Sequence, residues 1–200
     1  MKVKAFFALF FLMSIGTLAA VAQNGGTYRD LLSKWTKRGT AYKDFNRALD
    51  ISATFRTPEF IRGYVSEYAS AYGLTPTEEV MLLDEESRSV SSSVSFFVQA
   101  YSTYEKGTDF GADNGLWKAW IENDEGERVG ALRVRNLTAK NIEFLKRFYP
   151  DVSDYFEFSL FEFPSNLPDG RKKILNENKT GLKLVIAGAL GRVELYWDLK

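Results

Sequence analysis

Two side chains are missing altogether from this 200-residue chain, which contains no cysteine and no histidine. Without thiols there is no disulfide and no thiolate nucleophile, so stability has to come from packing alone. Without imidazole, Ser-His-Asp and Cys-His arrangements, histidine general bases and the usual zinc sites are excluded. Nor does the chain contain Gly-x-Ser-x-Gly, and no lysine follows a serine by three positions, so neither the nucleophile elbow nor the Ser-x-x-Lys arrangement is present. An enzyme made of what remains would work through carboxylates, lysine or tyrosine. The acidic clusters have structural explanations instead. Asp84-Glu85-Glu86 reads as the exposed face of a helix and Asp124-Glu125 as part of a hairpin turn.

The composition therefore points away from catalysis and gives no sign of a cofactor. The loop Asp109 to Gly115 offers oxygen ligands and glycines, but lacks the acid spacing and closing glutamate of an EF-hand loop, and reads as solvated rather than metal-binding. Gly170-Arg171-Lys172-Lys173 is a lone basic turn.

An excess of one charge is also lacking, with 26 basic side chains against 26 acidic ones. That balance gives no electrostatic reason to expect nucleic acid or anionic lipid as a partner. There is one apolar run, and it stands at the start. Met1-Lys2-Val3-Lys4 precedes a mostly apolar stretch from Ala5 to Leu18, followed by Ala20-Val21-Ala22. A basic start, a short apolar core and small residues before the cut are what signal peptidase needs, so residues 1–22 are expected to be a bacterial-type signal peptide cleaved after Ala22. The run is shorter than the roughly 20 residues that span a bilayer. Gln23 stands where a lipid anchor would need cysteine. The expected product is one globular domain, residues 23–200, free in the periplasm or outside the cell, with no stable membrane insertion once the signal is gone. Loss of Lys2 and Lys4 makes it slightly acidic.

Aromatic residues are plentiful, with 16 Phe, 10 Tyr and 4 Trp to fill a core without disulfides. Tyr28, Leu31, Leu32 and Trp35 recur at helical spacing, giving a short helix over about 28–38 that Lys37-Arg38-Gly39 would end. From Asn46 the period becomes two: Leu49, Ile51, Ala53 and Phe55 alternate with Asp50, Ser52 and Thr54, the pattern of a half-buried strand. Thr57-Pro58-Glu59 and the capping box Thr75-Pro76-Thr77-Glu78 open a helix pair over about 58–87. The row Tyr64, Tyr68, Tyr72 in the first of these reads as packing rather than a stacking surface for sugars or bases.

After a serine-rich joint at 87–93 the chain is mostly β to residue 199. A doubly covered central strand contains Phe96, Phe97 and Val98, a hairpin joins Trp117–Glu122 to Arg128–Arg135, and a tight turn at 188–191 joins the last two strands. One more helix is expected over about 139–149, capped by Thr138 and stopped by Pro150.

Irregular alternation of strands and helices argues against a parallel sheet. The expected fold class is α+β, mainly an antiparallel β-sandwich of immunoglobulin-like general form with inserted or edge helices. The alternative is an open antiparallel sheet covered by helices. The candidate interaction surface is Trp120, Arg133, Arg135 and Tyr196, aromatics and arginines expected on outward sheet positions. The functional expectation is a non-catalytic binding or structural module of the cell envelope, with another envelope protein as a possible partner. The alternative is an exported hydrolase using carboxylates in a cleft.

Overall fold

The computed structural model describes residues 27–110, 115–137, 142–176 and 179–200. The expected leader lies outside these residues, as do positions 111–114 of the glycine-rich loop and the expected helix cap Thr138. Helix α1, Tyr28–Trp35, begins with a capping box in which Thr27 Oγ1 accepts from the Asp30 amide and the Asp30 carboxylate accepts from the Thr27 N–H. The expected continuation to about residue 38 does not occur. Lys37-Arg38-Gly39 belongs to strand β1, Thr36–Lys43. Gly39 is used for a close crossing rather than a helix stop, since a Cβ there would lie 2.5 Å from Val193 Cγ1. Asp44 and Phe45, both at positive φ (49° and 66°), make the two-residue turn into β2, Asn46–Phe55.

The two helix starts fall where the cap residues place them. Helix α2, Pro58–Tyr72, is capped by Thr57 and ends at Gly73 in the left-handed region (φ 64°). Helix α3, Pro76–Ser92, has the Thr75–Glu78 capping box. It absorbs most of the segment expected as a joint, and there the Ser91, Ser92 and Ser93 hydroxyls donate back to the carbonyls of Ser87 and Ser89. Strand β3, Ser93–Tyr101, is buried on both faces as expected.

The expected hairpin is present only in its first half. β4, Trp117–Asn123, pairs with the short β5, Arg128–Gly130, across the Asn123–Gly126 turn. The chain then leaves that sheet: the Leu132 amide donates to the Glu162 carbonyl, and β6, Arg133–Leu137, pairs with a strand of the other sheet. A strand that changes sheets at a bend satisfies ladders on both sides. The remaining elements are α4, Ile142–Phe148, then β7, Glu157–Pro164, β8, Gly181–Gly188, and β9, Gly191–Asp198.

The fold is α+β, with nine strands and four helices among the described residues. One sheet runs β1-β2-β3-β7-β6, the other β5-β4-β8-β9, and every ladder is antiparallel. Trp197 of β9 meets Phe96 of β3 at 5.1 Å and Phe55 of β2 at 6.1 Å between ring centroids, so the two sheets contribute to one apolar core. Helices α1, α2 and α4 lie on the opposite face of the five-stranded sheet. There Tyr149 stacks on Phe97 at 4.1 Å, and Tyr64, Tyr68 and Tyr72 pack against Phe144 and Phe148. The tyrosine row is thus a helix-to-helix packing surface.

Candidate functional site: two clefts beside Tyr149

The helix-covered face of the five-stranded sheet is polar towards β1 and apolar towards β6, and the register explains why. Thr36 pairs with Thr54 and Arg38 with Ser52 across β1 and β2, and Ser52 pairs with Gln99 across β2 and β3. Because side chains alternate along a strand, these residues all project from the same face. On β7 and β6 that face instead carries Phe158, Leu160, Arg135 and Leu137.

A cleft of about 480 Å³ opens over the polar half, bounded by α1 (Leu32, Ser33), the floor residues Thr36, Thr54 and Gln99, and the segment Tyr149-Pro150-Asp151. Arg38 and Asp151 pair at its rim. Thr36 and Thr54 satisfy each other through a 2.8 Å hydroxyl contact. Their neighbours do not. Gln99 is 5% exposed and Ser52 6% exposed, yet Gln99 Oε1 and Ser52 Oγ have no hydrogen-bond partner among the described residues. Leaving a buried polar group unpaired costs about 1–3 kcal/mol.

The other half holds a cavity of about 210 Å³ bounded by α2, α4, β6 and β7, with Arg56 and Glu86 at one side and Arg135 among its lining residues. Arg56 and Glu86 form an ion pair whose side chains are 12% and 25% exposed. Burial pushes the phenol of Tyr64 up to about 12 and that of Tyr149 above the ordinary tyrosine range, so both remain protonated donors. Neither hydroxyl makes a hydrogen bond among the described residues.

The structure does not bring the four sequence-selected residues together. Trp120 and Tyr196 share the outward face of the four-stranded sheet, where the Arg192 guanidinium lies 5.3 Å from the Trp120 ring and Lys183 bridges Glu122 and Glu194. Tyr196 is half exposed, whereas Trp120 is partly covered, with its indole N–H buried. Arg133 and Arg135 stand on the other sheet. Arg133 pairs with Glu162 at 3.7 Å, and Arg135 lines the apolar cavity. Sequence reasoning missed Ser52, Gln99 and the Arg56–Glu86 pair. The available signal was a glutamine inside a strand covered on both faces, beside the polar alternation Asp50, Ser52, Thr54.

Among the described residues, no group of three or more acidic side chains is placed to hold a metal ion. Asp124 belongs to a structural clasp instead. Its carboxylate accepts from the Thr180 amide and hydroxyl, both at 2.9 Å, which holds its pKa below the usual range. No described helix is long and apolar enough to cross a membrane.

No protein-family model and no curated protein matches the chain. Among solved structures it is similar to a protein of unknown function from Burkholderia pseudomallei, with 14% identity over 86% of this chain and 81% of that one, at a TM-score of 0.41.

Proposed function

We propose that this protein is an exported, non-catalytic binding module of the cell envelope, acting through the polar cleft beneath α1 and Tyr149. In this reading the two sheets form an antiparallel β-sandwich of immunoglobulin-like general form, and the helices wall the binding face. The observation that carries the proposal is the buried, unpartnered Gln99 amide oxygen at the cleft floor, with the equally unpartnered Ser52 hydroxyl beside it on the same sheet face. A floor that leaves hydrogen-bonding capacity unused is complementary to a small neutral polar ligand, which would supply the missing partners. A hydrolytic role finds less support, because the acids lining the two cavities, Asp151 and Glu86, are each paired with a guanidinium. Export rests on the leader pattern of residues 1–22.

The test combines Gln99→Met with thermal unfolding. The variant keeps the side chain's length and removes its polar atoms, so without ligand it should be as stable as the parent or more stable by up to about 1 kcal/mol. A panel of mono- and disaccharides, amino acids and dipeptides should contain a compound that raises the parent's melting temperature but not the variant's, and mass spectrometry should recover that compound unchanged. Loss of more than about 1 kcal/mol in the unliganded variant would mean that the amide is a satisfied structural group. Turnover of the compound would sink the non-catalytic reading. For export, the N-terminus of the protein recovered from its native cells should be Gln23; an intact Met1 would overturn it.

A further inference from the structure

The second cavity has a chemistry of its own, independent of the polar cleft. Most of its wall is apolar and comes from three directions: Phe60 and Ile61 of α2, Leu145 and Phe148 of α4, and Phe97 and Leu160 of the sheet. Apolar cavities of roughly 150 Å³ can take up a benzene ring. At about 210 Å³ this one has room for an aromatic ring or a short acyl chain carrying a small head group.

Its polar groups lie on a limited part of the wall. Arg56 is held against Glu86 with only 12% of its side chain exposed. Tyr64 and Tyr149 present hydroxyls that remain protonated. Arg135 lines the cavity from an exposed position on β6 and has no ion-pair partner among the described residues. Two guanidinia and one carboxylate leave a net positive charge beside an apolar chamber.

We infer that this cavity is a binding site for a small monocarboxylate with an apolar body, its ring or short chain seated among Phe60, Phe97, Leu145 and Leu160 and its carboxylate held by Arg56 and Arg135. The guanidinium fork matches a carboxylate's two oxygens, and the tyrosine hydroxyls can donate to whichever oxygen the arginines leave free. A neutral analogue would keep the apolar contacts and lose the charged ones. An ammonium analogue would meet two like charges.

Calorimetric titration of the purified protein with benzoate and hexanoate, against benzyl alcohol, hexan-1-ol and hexylamine, tests the inference. At least one carboxylate should bind about tenfold more tightly than its alcohol, and the amine should not bind. Removing Arg56 alone leaves Glu86 unpaired and can unfold the chain. The informative variant is therefore the double substitution Arg56→Met, Glu86→Gln, which should reduce carboxylate affinity about tenfold while leaving alcohol affinity within about twofold. Arg135→Gln should weaken carboxylate binding roughly threefold, and more at low salt than at high salt. Leu145→Trp, which fills the chamber, should abolish binding of every probe. Equal affinity for carboxylate and alcohol in the parent protein would overturn the inference. So would carboxylate affinity unchanged in the double variant, carboxylate binding that survives Leu145→Trp, or no saturable carboxylate binding at all.

Discussion

At the scale of single residues, Trp197 carries more of the structure than its place in the final strand suggests. Its indole is 1% exposed and touches Phe55 and Phe96 of the opposite sheet, and its N–H donates to the Trp35 carbonyl at 2.7 Å. One side chain thus joins β9, the five-stranded sheet and the end of α1. Trp197→Phe removes ring volume and leaves a buried carbonyl unpaired, so it should cost about 2–4 kcal/mol in urea unfolding with an unchanged slope. Tyr196→Ala, one position away and half exposed, should cost less than about 1 kcal/mol. Equal losses would show that Trp197 does not tie the sheets together. Alternation in the last strand places Val193, Leu195 and Trp197 inward from sequence alone. Which carbonyl the buried indole would find, 162 residues earlier in the chain, had no local signal.

At the scale of elements, legibility followed whether the decisive contacts were local. The starts of α2 and α3 were readable because Thr57-Pro58 and Thr75-Pro76 with Glu78 satisfy helix N–H groups within four residues. β1 was not readable, because its residues Thr36 to Lys43 alternate weakly and their strand conformation comes from pairing with β2 and packing on β9. Gly39 exposes this dependence. Gly39→Val would raise intrinsic strand propensity, yet it would push a branched side chain into Val193 and Leu195, whose nearest atoms lie 2.5 and 3.0 Å from where its Cβ would stand. The expected outcome is a loss of about 1–3 kcal/mol in denaturant unfolding. A stabilised variant would mean that the crossing of β1 and β9 is loose. The break between β5 and β6 leaves a local trace, since the apolar positions change parity from Val129 and Ala131 to Leu132 and Val134, but which strand β6 pairs with has none.

For the whole molecule, the helix layer creates an alkaline limit. Tyr28, Tyr64 and Tyr149 sit in or beside that layer, and burial is the main cause that raises each phenol's pKa, Tyr64 to about 12. An unfolded chain ionises its tyrosines near pH 10. Because the folded values are the higher ones, the associated stability is complete below about pH 10 and is lost as pH rises from there towards 12 and beyond. Phenolate absorbance and circular dichroism followed together should show part of the ten tyrosines titrating with native structure intact, and these three ionising only as it unfolds. Full ionisation near pH 10 with a native spectrum would refute the packing described for α1, α2 and α4.

The same layer divides what was written in the sequence from what was not. Composition alone excluded thiol and imidazole chemistry, because a missing atom type cannot be supplied by folding. Caps and alternation set most helix starts and strand faces, because their energetics are short-range. The candidate site was decided only by tertiary structure. Asp50, Ser52 and Thr54 read locally as a solvent face, yet Ser52 and Thr54 are buried, and Thr54 lies in the cleft that α1 and the segment after α4 bound. Hydrogen-bond satisfaction under that cover depends on distances between segments remote in the chain, a property that sequence periodicity does not contain.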